Sequence, residues 1–186
     1  MSPKQQAALS IEHALLGFLT EQPLHGYEIH QRLQAAQQLG LVWHLKQAHL
    51  YVLLGKLEAA GFIDAELLPQ EARPPKRLLH LTAAGRAAFR EWLQTPVQHG
   101  RDLRIEFLAK LFWAQQQSGT IAQQLIAAQR SACHSWLAEI PDAAAPDADE
   151  PPYSWLVGSF RRGQIEAMLA WLDTCAALLT PEPQPC

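Results

Sequence analysis

The spacing of the apolar residues changes once in the first half of the chain, and this change restricts the fold more than any other feature. Before Gly61 the apolar residues recur at helical intervals, most clearly at Leu50, Leu53, Leu54 and Leu57. After Gly61 they alternate over two short runs, 63–67 and 79–81, as in half-buried strands. Between these runs lies the cationic, proline-containing stretch 73–77, RPPKR. The pattern therefore predicts helices followed by two short strands that flank a stiff, positively charged turn.

The helical segments around these strands complete a recognisable order. Apolar spacing predicts a first helix over 11–19, a second that ends at Gly40 and a third that ends at Gly61. Thr82 is a suitable N-cap for a fourth helix after the strands. Helix, helix, helix, strand, charged loop, strand, helix is the plan of a winged helix-turn-helix. In that plan the third helix enters the DNA major groove, and the loop reaches the neighbouring backbone or minor groove.

The second half of the chain is predicted to be purely helical. Pro96 and Gly100 mark a joint between a winged helix domain, 1–96, and a helical dimerisation domain, 101–180, which is also a candidate effector-binding region. The tail 181–186 is proline-rich and is predicted to be disordered. Asp102 is predicted to cap the first helix of the second half.

The predicted fold class is mainly α with a small two-stranded β wing, in the order winged helix-turn-helix and then dimerisation domain. The helices of the second half carry more apolar surface than a small domain buries alone, which favours a homodimer. The last helix is predicted to supply the dimer interface with the stripe Ile165, Met168, Leu172 and Leu179.

Composition narrows the class of protein. The net charge of -3 argues against a wholly basic nucleic-acid coat protein. Residues 1–95 carry nine Lys/Arg and eight Asp/Glu, whereas residues 96–186 carry six and ten, so a local basic patch can form in the first half. An odd count of three cysteines without a C-x-x-C pair favours a reducing compartment. With no signal-peptide pattern and no long apolar run, the sequence predicts a soluble, cytoplasmic protein.

Enzymatic and metal-binding chemistry are not predicted. No pair of histidines has the spacing that brings two imidazoles together on a helix, since His25 and His30, like His44 and His49, are five residues apart. Phosphate-binding loops, G-x-S-x-G and H-E-x-x-H are absent from the sequence. The sequence therefore predicts no enzyme, no metal site and no cofactor.

Polar residues of the third helix and the cationic turn are the candidate DNA contacts. If the leucine stripe faces the core, then Lys46, Gln47, His49 and Lys56 lie mostly outside it. Glutamine can pair bidentately with adenine and lysine favours guanine, whereas Tyr51 can contact a phosphate through its hydroxyl. Arg73, Lys76 and Arg77 surround two prolines that stiffen the tip, and such cations displace counterions from phosphates. The alternative for each set is a solvated helix face or a solvated turn.

Three ordered motifs resemble the PadR family of bacterial transcriptional regulators. They are His25-Gly26-Tyr27-Glu28, the Leu50-Tyr51 pair, and Arg73-Pro74-Pro75 followed by Leu81-Thr82 and Gly85. The resemblance covers about 9–95 and continues more weakly into the second half. It implies a homodimeric winged helix repressor of double-stranded DNA, whose affinity is often changed by a small-molecule effector or a cellular signal. The wing and the second helix, with Tyr27 as its candidate DNA contact, are predicted to anchor phosphates. Many members have Gly-Thr-Leu-Tyr-Pro where this chain has Ala48-His49-Leu50-Tyr51-Val52.

Two other functions remain open at this stage. The winged helix can serve protein–protein interaction instead of DNA binding, since a fold does not fix a function. The chain can also be an effector sensor with little sequence-specific DNA binding. Aromatic residues of the second half are predicted either to pack a dimer core or to line an effector pocket. They are Phe112, Trp113, Trp136, Trp155, Phe160 and Trp171.

Overall fold

The structure, a computed structural model, describes residues 11–70, 73–141 and 152–179, and for residues 70 and 73–75 it describes the backbone alone. A 3-10 helix, Ile11–Leu19, comes first. The α-helices are α1 Gly26–Ala35, α2 Gln37–Gly40, α3 Gln47–Ala59, α4 Ala83–Gln94, α5 Glu106–Gln117, α6 Gly119–Ala138 and α7 Tyr153–Leu178. A second 3-10 helix, Gly100–Arg104, precedes α5. The strands are β1 Leu24–His25, β2 Ile63–Gln70 and β3 Arg73–Leu81.

The predicted order of helices and strands in the first half is confirmed, with one break added. The predicted second helix is interrupted at Ala36, whose ψ of 72° is not helical, and this residue separates α1 from α2. Gly61 ends the third helix with a φ of 74°, a conformation that favours glycine. Thr82 caps α4 as predicted, because its Oγ1 accepts a hydrogen bond of 3.0 Å from the Gly85 N–H.

The sheet has three strands, and the predicted two-stranded wing is its longer part. β1 joins the antiparallel hairpin along β3, with Leu24 opposite Leu79, to give the order β1-β3-β2. Sequence reasoning missed β1 because two residues are too few to show alternation. The strands of the hairpin are also longer than predicted, so that the cationic residues lie within β3 and not in a loop.

Prolines disturb the ladder near the tip of the hairpin. Leu68 pairs with Lys76 whereas Gln70 pairs with Arg73, so two residues of β3, Pro74 and Pro75, stand opposite Pro69 alone. Proline has no N–H to donate, and a bulge is where a strand tolerates it. The same shortage of donors disfavours pairing of this part of β3 with another strand.

The hydrophobic core runs without interruption through both halves of the chain. Trp113 of α5 packs so closely on the first 3-10 helix that a Cβ at Gly17 would collide with its indole ring. The Phe18 ring meets the Trp113 ring edge-on, with centroids 4.9 Å apart. The predicted domain boundary at 96 therefore stays a prediction, since the chain path has a joint there but the core does not.

The first helix of the second half differs from its prediction. α5 begins at Glu106, and Asp102 lies in the preceding 3-10 helix, so Asp102 is not its N-cap. Its buried face carries Phe107, Lys110 and Ala114, whereas Ile105 is 46% exposed. α5 has apolar residues on more than one side, so its apolar pattern does not mark the side that faces the core.

The last helix, α7, turns the predicted interface stripe toward its own chain. Leu172 is fully buried, and Ile165, Met168 and Leu179 pack partly buried against the same core. Leu172 therefore has no surface left for a second copy. A different face of α7 is apolar and exposed, and it carries Tyr153, Leu156, Phe160, Trp171 and Leu178.

Candidate nucleic-acid interface

α3 presents one face to the core and the opposite face to solvent. Its leucine stripe is buried as predicted, with Leu50 and Leu57 at zero exposure. By the helical period, the centre of the opposite face is formed by Ala48, Val52, Gly55 and Ala59, all of which are exposed. This outward face has the shape that a helix needs to enter a major groove, since small residues let its backbone approach the base edges.

The leading end of α3 holds three of the predicted contacts. Lys46 occupies the N-cap position, Gln47 is the first helical residue, and both are exposed. His49 is exposed on the side of the helix away from Gln47. The structure thus leaves these side chains accessible at the end of the helix from which recognition helices read bases.

Lys56, predicted as a DNA contact, is engaged within the chain. Its Nζ lies 3.4 Å from Oε1 of Glu12 in the first 3-10 helix, and the Glu12 side chain is only 8% exposed. A nearly buried carboxylate needs a cation or donors close by. The Lys56 ammonium therefore has a structural role in the last turn of α3.

Arg77, predicted as a wing contact, also has a partner on α3. Its Nη2 lies 2.6 Å from both carboxylate oxygens of Glu58. The pair ties the hairpin to the third helix across exposed surface, so it fixes the direction of the wing more than it adds stability. Of the other predicted wing cations, Lys76 is exposed in β3, and the side chain of Arg73 lies outside what the structure describes.

The His25-Gly26-Tyr27 motif builds the corner where α1, α3 and the sheet meet. The His25 Nδ1 lies 2.7 Å from the Arg77 carbonyl oxygen, and because a carbonyl only accepts, Nδ1 is the donor. The Tyr51 ring covers Gly26, and a Cβ added at Gly26 would lie 2.6 Å from the Tyr51 Cε1. Tyr27 stacks on His25 at 5.7 Å and is 42% exposed. This corner holds both tyrosines at the edge of the α3 face.

Val52 is the residue of this surface that sequence reasoning missed. It is 58% exposed at the centre of the outward face, between the edges that carry Tyr51 and Lys56. A search for cations and amides overlooks an aliphatic residue, yet apolar side chains read the 5-methyl group of thymine in the major groove. The available signal was the helical period, which places position 52 opposite the buried leucines.

Two concave regions lie away from this surface. A cleft of about 760 Å3 between the two halves is lined by both polar and aromatic residues, among them His13, Trp92, His99, Asp102 and Lys110. A smaller groove of about 380 Å3 between α5 and α7 is almost wholly apolar and is lined by Leu103, Leu108, Met168 and Trp171 among others. Of the predicted aromatics, Trp171 lines the groove, whereas Trp113 is buried in the core.

The part of the chain that the structure describes holds neither a metal-binding cluster nor a membrane-spanning helix. Within 11–70, 73–141 and 152–179, no group of three or more His, Cys, Asp or Glu side chains is arranged to hold a metal ion. None of the helices in those ranges combines the length and the apolar character that crossing a bilayer requires.

The helical segments that end with α3, followed by the hairpin of β2 and β3, define a winged helix-turn-helix protein. Residues 15–91 match the model of the transcriptional regulator PadR-like family. Residues 103–180 match a second model, described as virulence activator alpha C-term. The resemblance drawn from the sequence motifs is thereby confirmed.

Two curated relatives are transcriptional regulators. The negative transcriptional regulator PadR of Bacillus subtilis is 28% identical over 103 residues, which cover 55% of this chain and 56% of that protein. A probable transcriptional regulator of Mycobacterium tuberculosis is 28% identical over 93 residues, which cover 50% of this chain and 48% of that protein. The chain thus spans about half the length of the curated relatives that it matches.

Solved structures similar to this chain include two of Bacillus subtilis PadR. The complex with operator DNA is 23% identical with a TM-score of 0.44, and covers 89% of this chain and 97% of that chain. The complex with p-coumaric acid is 23% identical with a TM-score of 0.41, and covers 91% of this chain and 98% of that chain. Both TM-scores are below 0.5, so no feature of those structures is transferred to this chain.

Proposed function

We propose that this chain is a homodimeric, DNA-binding transcriptional repressor that recognises a palindromic operator. The observation that carries the proposal is the exposed face of α3, with Gln47 at its leading end and Val52 at its centre. A wing lies beside this face, tied to it by the Arg77–Glu58 contact. The match of residues 15–91 to a family of transcriptional regulators supports the same function. Operator binding takes place in the cytoplasm under this proposal, because the bacterial chromosome lies there.

The residues divide into base readers and phosphate anchors. Gln47 and Val52 read base edges in the major groove, with Lys46 or His49 serving either base or backbone. Lys76 and Arg73 of the wing contact phosphates, and Tyr27 and Tyr51 donate their hydroxyls to the backbone. Lys56 and Arg77 contribute charge near the interface but hold the protein together first, through Glu12 and Glu58 respectively.

The second copy docks on the exposed apolar face of α7. Tyr153, Phe160 and Leu178 are 75%, 66% and 79% exposed, and they lie on one side of a helix of 26 residues. Apolar residues at this density on one helix face are typical of a helix–helix interface. The groove beside Trp171 extends the same surface onto α5. A palindromic operator then follows from the two-fold symmetry of the dimer.

A small-molecule effector would bind in the cleft between the two halves. Its volume of about 760 Å3 lies in the range of ligand pockets. Trp92 offers an aromatic surface there, and the exposed Arg101 offers a cation. A ligand in this position touches both the α4 end of the winged helix and the start of α5, so it can change the angle between the halves.

Footprinting on the DNA upstream of the chain's own gene tests the function. We expect protection of a palindromic site by the wild-type protein, and loss of protection at high salt, because phosphate contacts release counterions. A protein-binding winged helix would give no protected site at any salt concentration. An effector sensor with weak DNA binding would protect the site only after a metabolite extract is added or removed.

A further inference from the structure

We propose that Lys110 and Gln129 are positioning residues for operator binding. They clamp the segment between α4 and α5, and thereby fix the half-site separation that the dimer accepts. This inference rests on the proposed function, and it concerns neither the base contacts nor the apolar dimer face.

Lys110 is almost completely buried at the joint between the two halves. Lys110 is 2% exposed. Its Nζ donates a hydrogen bond of 2.7 Å to the carbonyl oxygen of Thr95, which follows the last residue of α4. The same Nζ lies 3.1 Å from Oε1 of Glu106 one turn earlier in α5, and 5.4 Å from the centroid of the Trp92 ring. Burial lowers the pKa of Lys110, while the charge of Glu106 opposes that shift. One ammonium thus joins α4, the joint and α5.

Gln129 of α6 holds the same segment two residues further on. It is fully buried, and its Oε1 accepts a hydrogen bond of 2.8 Å from the Val97 N–H. Its Nε2 donates a longer bond of 3.4 Å to the Val97 carbonyl oxygen. The side-chain amide therefore pairs with a backbone amide as a neighbouring strand would, and it holds both polar groups of Val97.

The two contacts differ in kind from the packing around Trp113. Around Trp113 the junction is apolar, and apolar packing has little directional preference. Hydrogen bonds to Thr95 and Val97 depend on angle as well as distance, so they select one orientation of α4 relative to α5 and α6. Because α3 reads DNA and α7 carries the dimer face, this angle sets the distance between the two recognition helices.

The separation of recognition helices matters because DNA half-sites repeat with the helical turn, roughly 34–36 Å for adjacent major grooves. A rigid dimer that meets the wrong separation must bend or twist the DNA, and the cost of that deformation lowers its affinity. A dimer with a loosened joint instead changes the separation of its recognition helices to match the half-sites. Spacing preference, and not affinity for one half-site, is therefore the property that the clamp controls.

The test compares operators whose half-sites are moved apart or together by one base pair. The variants are Gln129→Met and the pair Lys110→Met with Glu106→Gln, since methionine alone would leave the Glu106 carboxylate without its cation. We expect wild-type protein to prefer one spacing by at least about fivefold, the effect of a modest DNA deformation. Both variants should lose most of that preference, while their affinity for DNA with a single half-site stays within about twofold, since their base and phosphate contacts are intact.

Gln123→Met supplies the matched control. Gln123 is another α6 amide, and its Nε2 donates to the carbonyl oxygens of Ala176 and Leu179 at 2.8 and 2.9 Å, away from the joint. This variant should keep the wild-type spacing preference. If it loses the preference as the joint variants do, or if the joint variants keep it, the inference is wrong.

A second measurement does not depend on DNA. A spin label at the exposed position Gln31→Cys of α1, with Cys186→Ser to remove the terminal thiol, reports the distance between the two winged helices of a dimer. The joint variants should broaden the distance distribution relative to wild type and to Gln123→Met, and an unchanged distribution would overturn the inference. Failure of the proposed function is distinct, because wild-type protein would then bind no operator of any spacing.

Discussion

The guanidinium of Arg77 in β3 lies 2.6 Å from both carboxylate oxygens of Glu58 in α3. A cation on the wing is therefore paired with an acidic residue of α3, the proposed recognition helix. The side chains are 56% and 36% exposed, so solvent screens the pair and its contribution to stability is small. Its importance lies in geometry, because it fixes the wing at one angle to α3.

Glu58→Gln should make DNA binding tighter and more dependent on salt. The substitution removes a negative charge from the edge of the interface and releases Arg77 to contact a phosphate. The slope of log K against log salt should steepen by about 0.9 for each wing that gains a contact. A salt titration of binding to nonspecific duplex measures this slope.

Glu66→Gln is the control for that change, since Glu66 pairs with His80 at 3.1 Å within the hairpin. Its slope should stay close to wild type. If both substitutions steepen the slope equally, general charge and not the release of Arg77 is responsible.

Lys46→Ala and Lys56→Ala should separate a DNA contact from a structural cation on the same helix. Lys46 is exposed at the N-cap of α3, so its loss should reduce the salt slope by about 0.9 per subunit and leave stability nearly unchanged. Lys56 neutralises the nearly buried Glu12, so its loss should cost about 1 kcal/mol of unfolding free energy. Urea denaturation and salt-dependent binding give the two quantities, and the reverse assignment would show that Lys56 faces DNA.

Gly85→Ala should destabilise the protein strongly. A Cβ at this position would overlap the Phe62 carbonyl oxygen, which accepts hydrogen bonds of 3.1 Å from both the N–H and the hydroxyl of Thr82. The junction between the sheet and α4 would have to open, at a cost of about 2 kcal/mol. Gly158→Ala in α7 is the control, since nothing lies within 4 Å of its added Cβ and alanine favours a helix by about 1 kcal/mol. Denaturation midpoints that move in the same direction would contradict this account.

The sequence predicts the elements of the first half well because each has a local cause. Leucine spacing marks α3, Gly61 ends it with a positive φ, and the Thr82 hydroxyl caps α4. These signals act over a few residues, so one sequence contains them fully. The α3 face was predicted for the same reason, since a buried stripe implies the opposite side.

Features that depend on distant residues were not predictable. Lys56 and Arg77 looked like free cations because Glu12 and Glu58 become their partners only in the folded chain. The stripe ending at Leu179 looked like a dimer interface because nothing local indicates that it packs against the chain's own core. The clamp of Gln129 on Val97 joins residues 32 positions apart, and a lone glutamine in a helical pattern gives no sign of it.

Gln47→Ala should relax sequence preference at one base pair in each half-site. The side chain is exposed in the first turn of α3, where an amide can pair with an adenine edge. Such a pair discriminates by roughly 1–3 kcal/mol, whereas a phosphate contact hardly discriminates. A competition series with every base at each operator position measures the effect, and a uniform loss across the series would make Gln47 a backbone anchor.

Val52 should make the protein sensitive to the methyl groups of thymine. The isopropyl group stands 58% exposed at the centre of the outward face of α3, flanked by Ala48 and Gly55, which are too small to keep it from the groove floor. Replacing thymine by deoxyuridine removes the methyl group and leaves every hydrogen-bonding group of the base in place. Burying one such group contributes about 0.8 kcal/mol, so wild-type affinity should fall about fourfold at the contacted thymine.

The protein side of the same contact is removed by Val52→Ala. This variant should bind the thymine operator more weakly than wild type and should no longer distinguish thymine from deoxyuridine at that position. Gln47→Ala serves as the control, because it loses its adenine contact but keeps Val52 and should keep the full deoxyuridine effect. Binding constants of wild type and Val52→Ala, each measured on the thymine operator and on the deoxyuridine operator, form a double-mutant cycle. The cycle measures the coupling between the Val52 side chain and the thymine methyl group directly. Zero coupling at every thymine of the half-site would mean that α3 meets the DNA with another face.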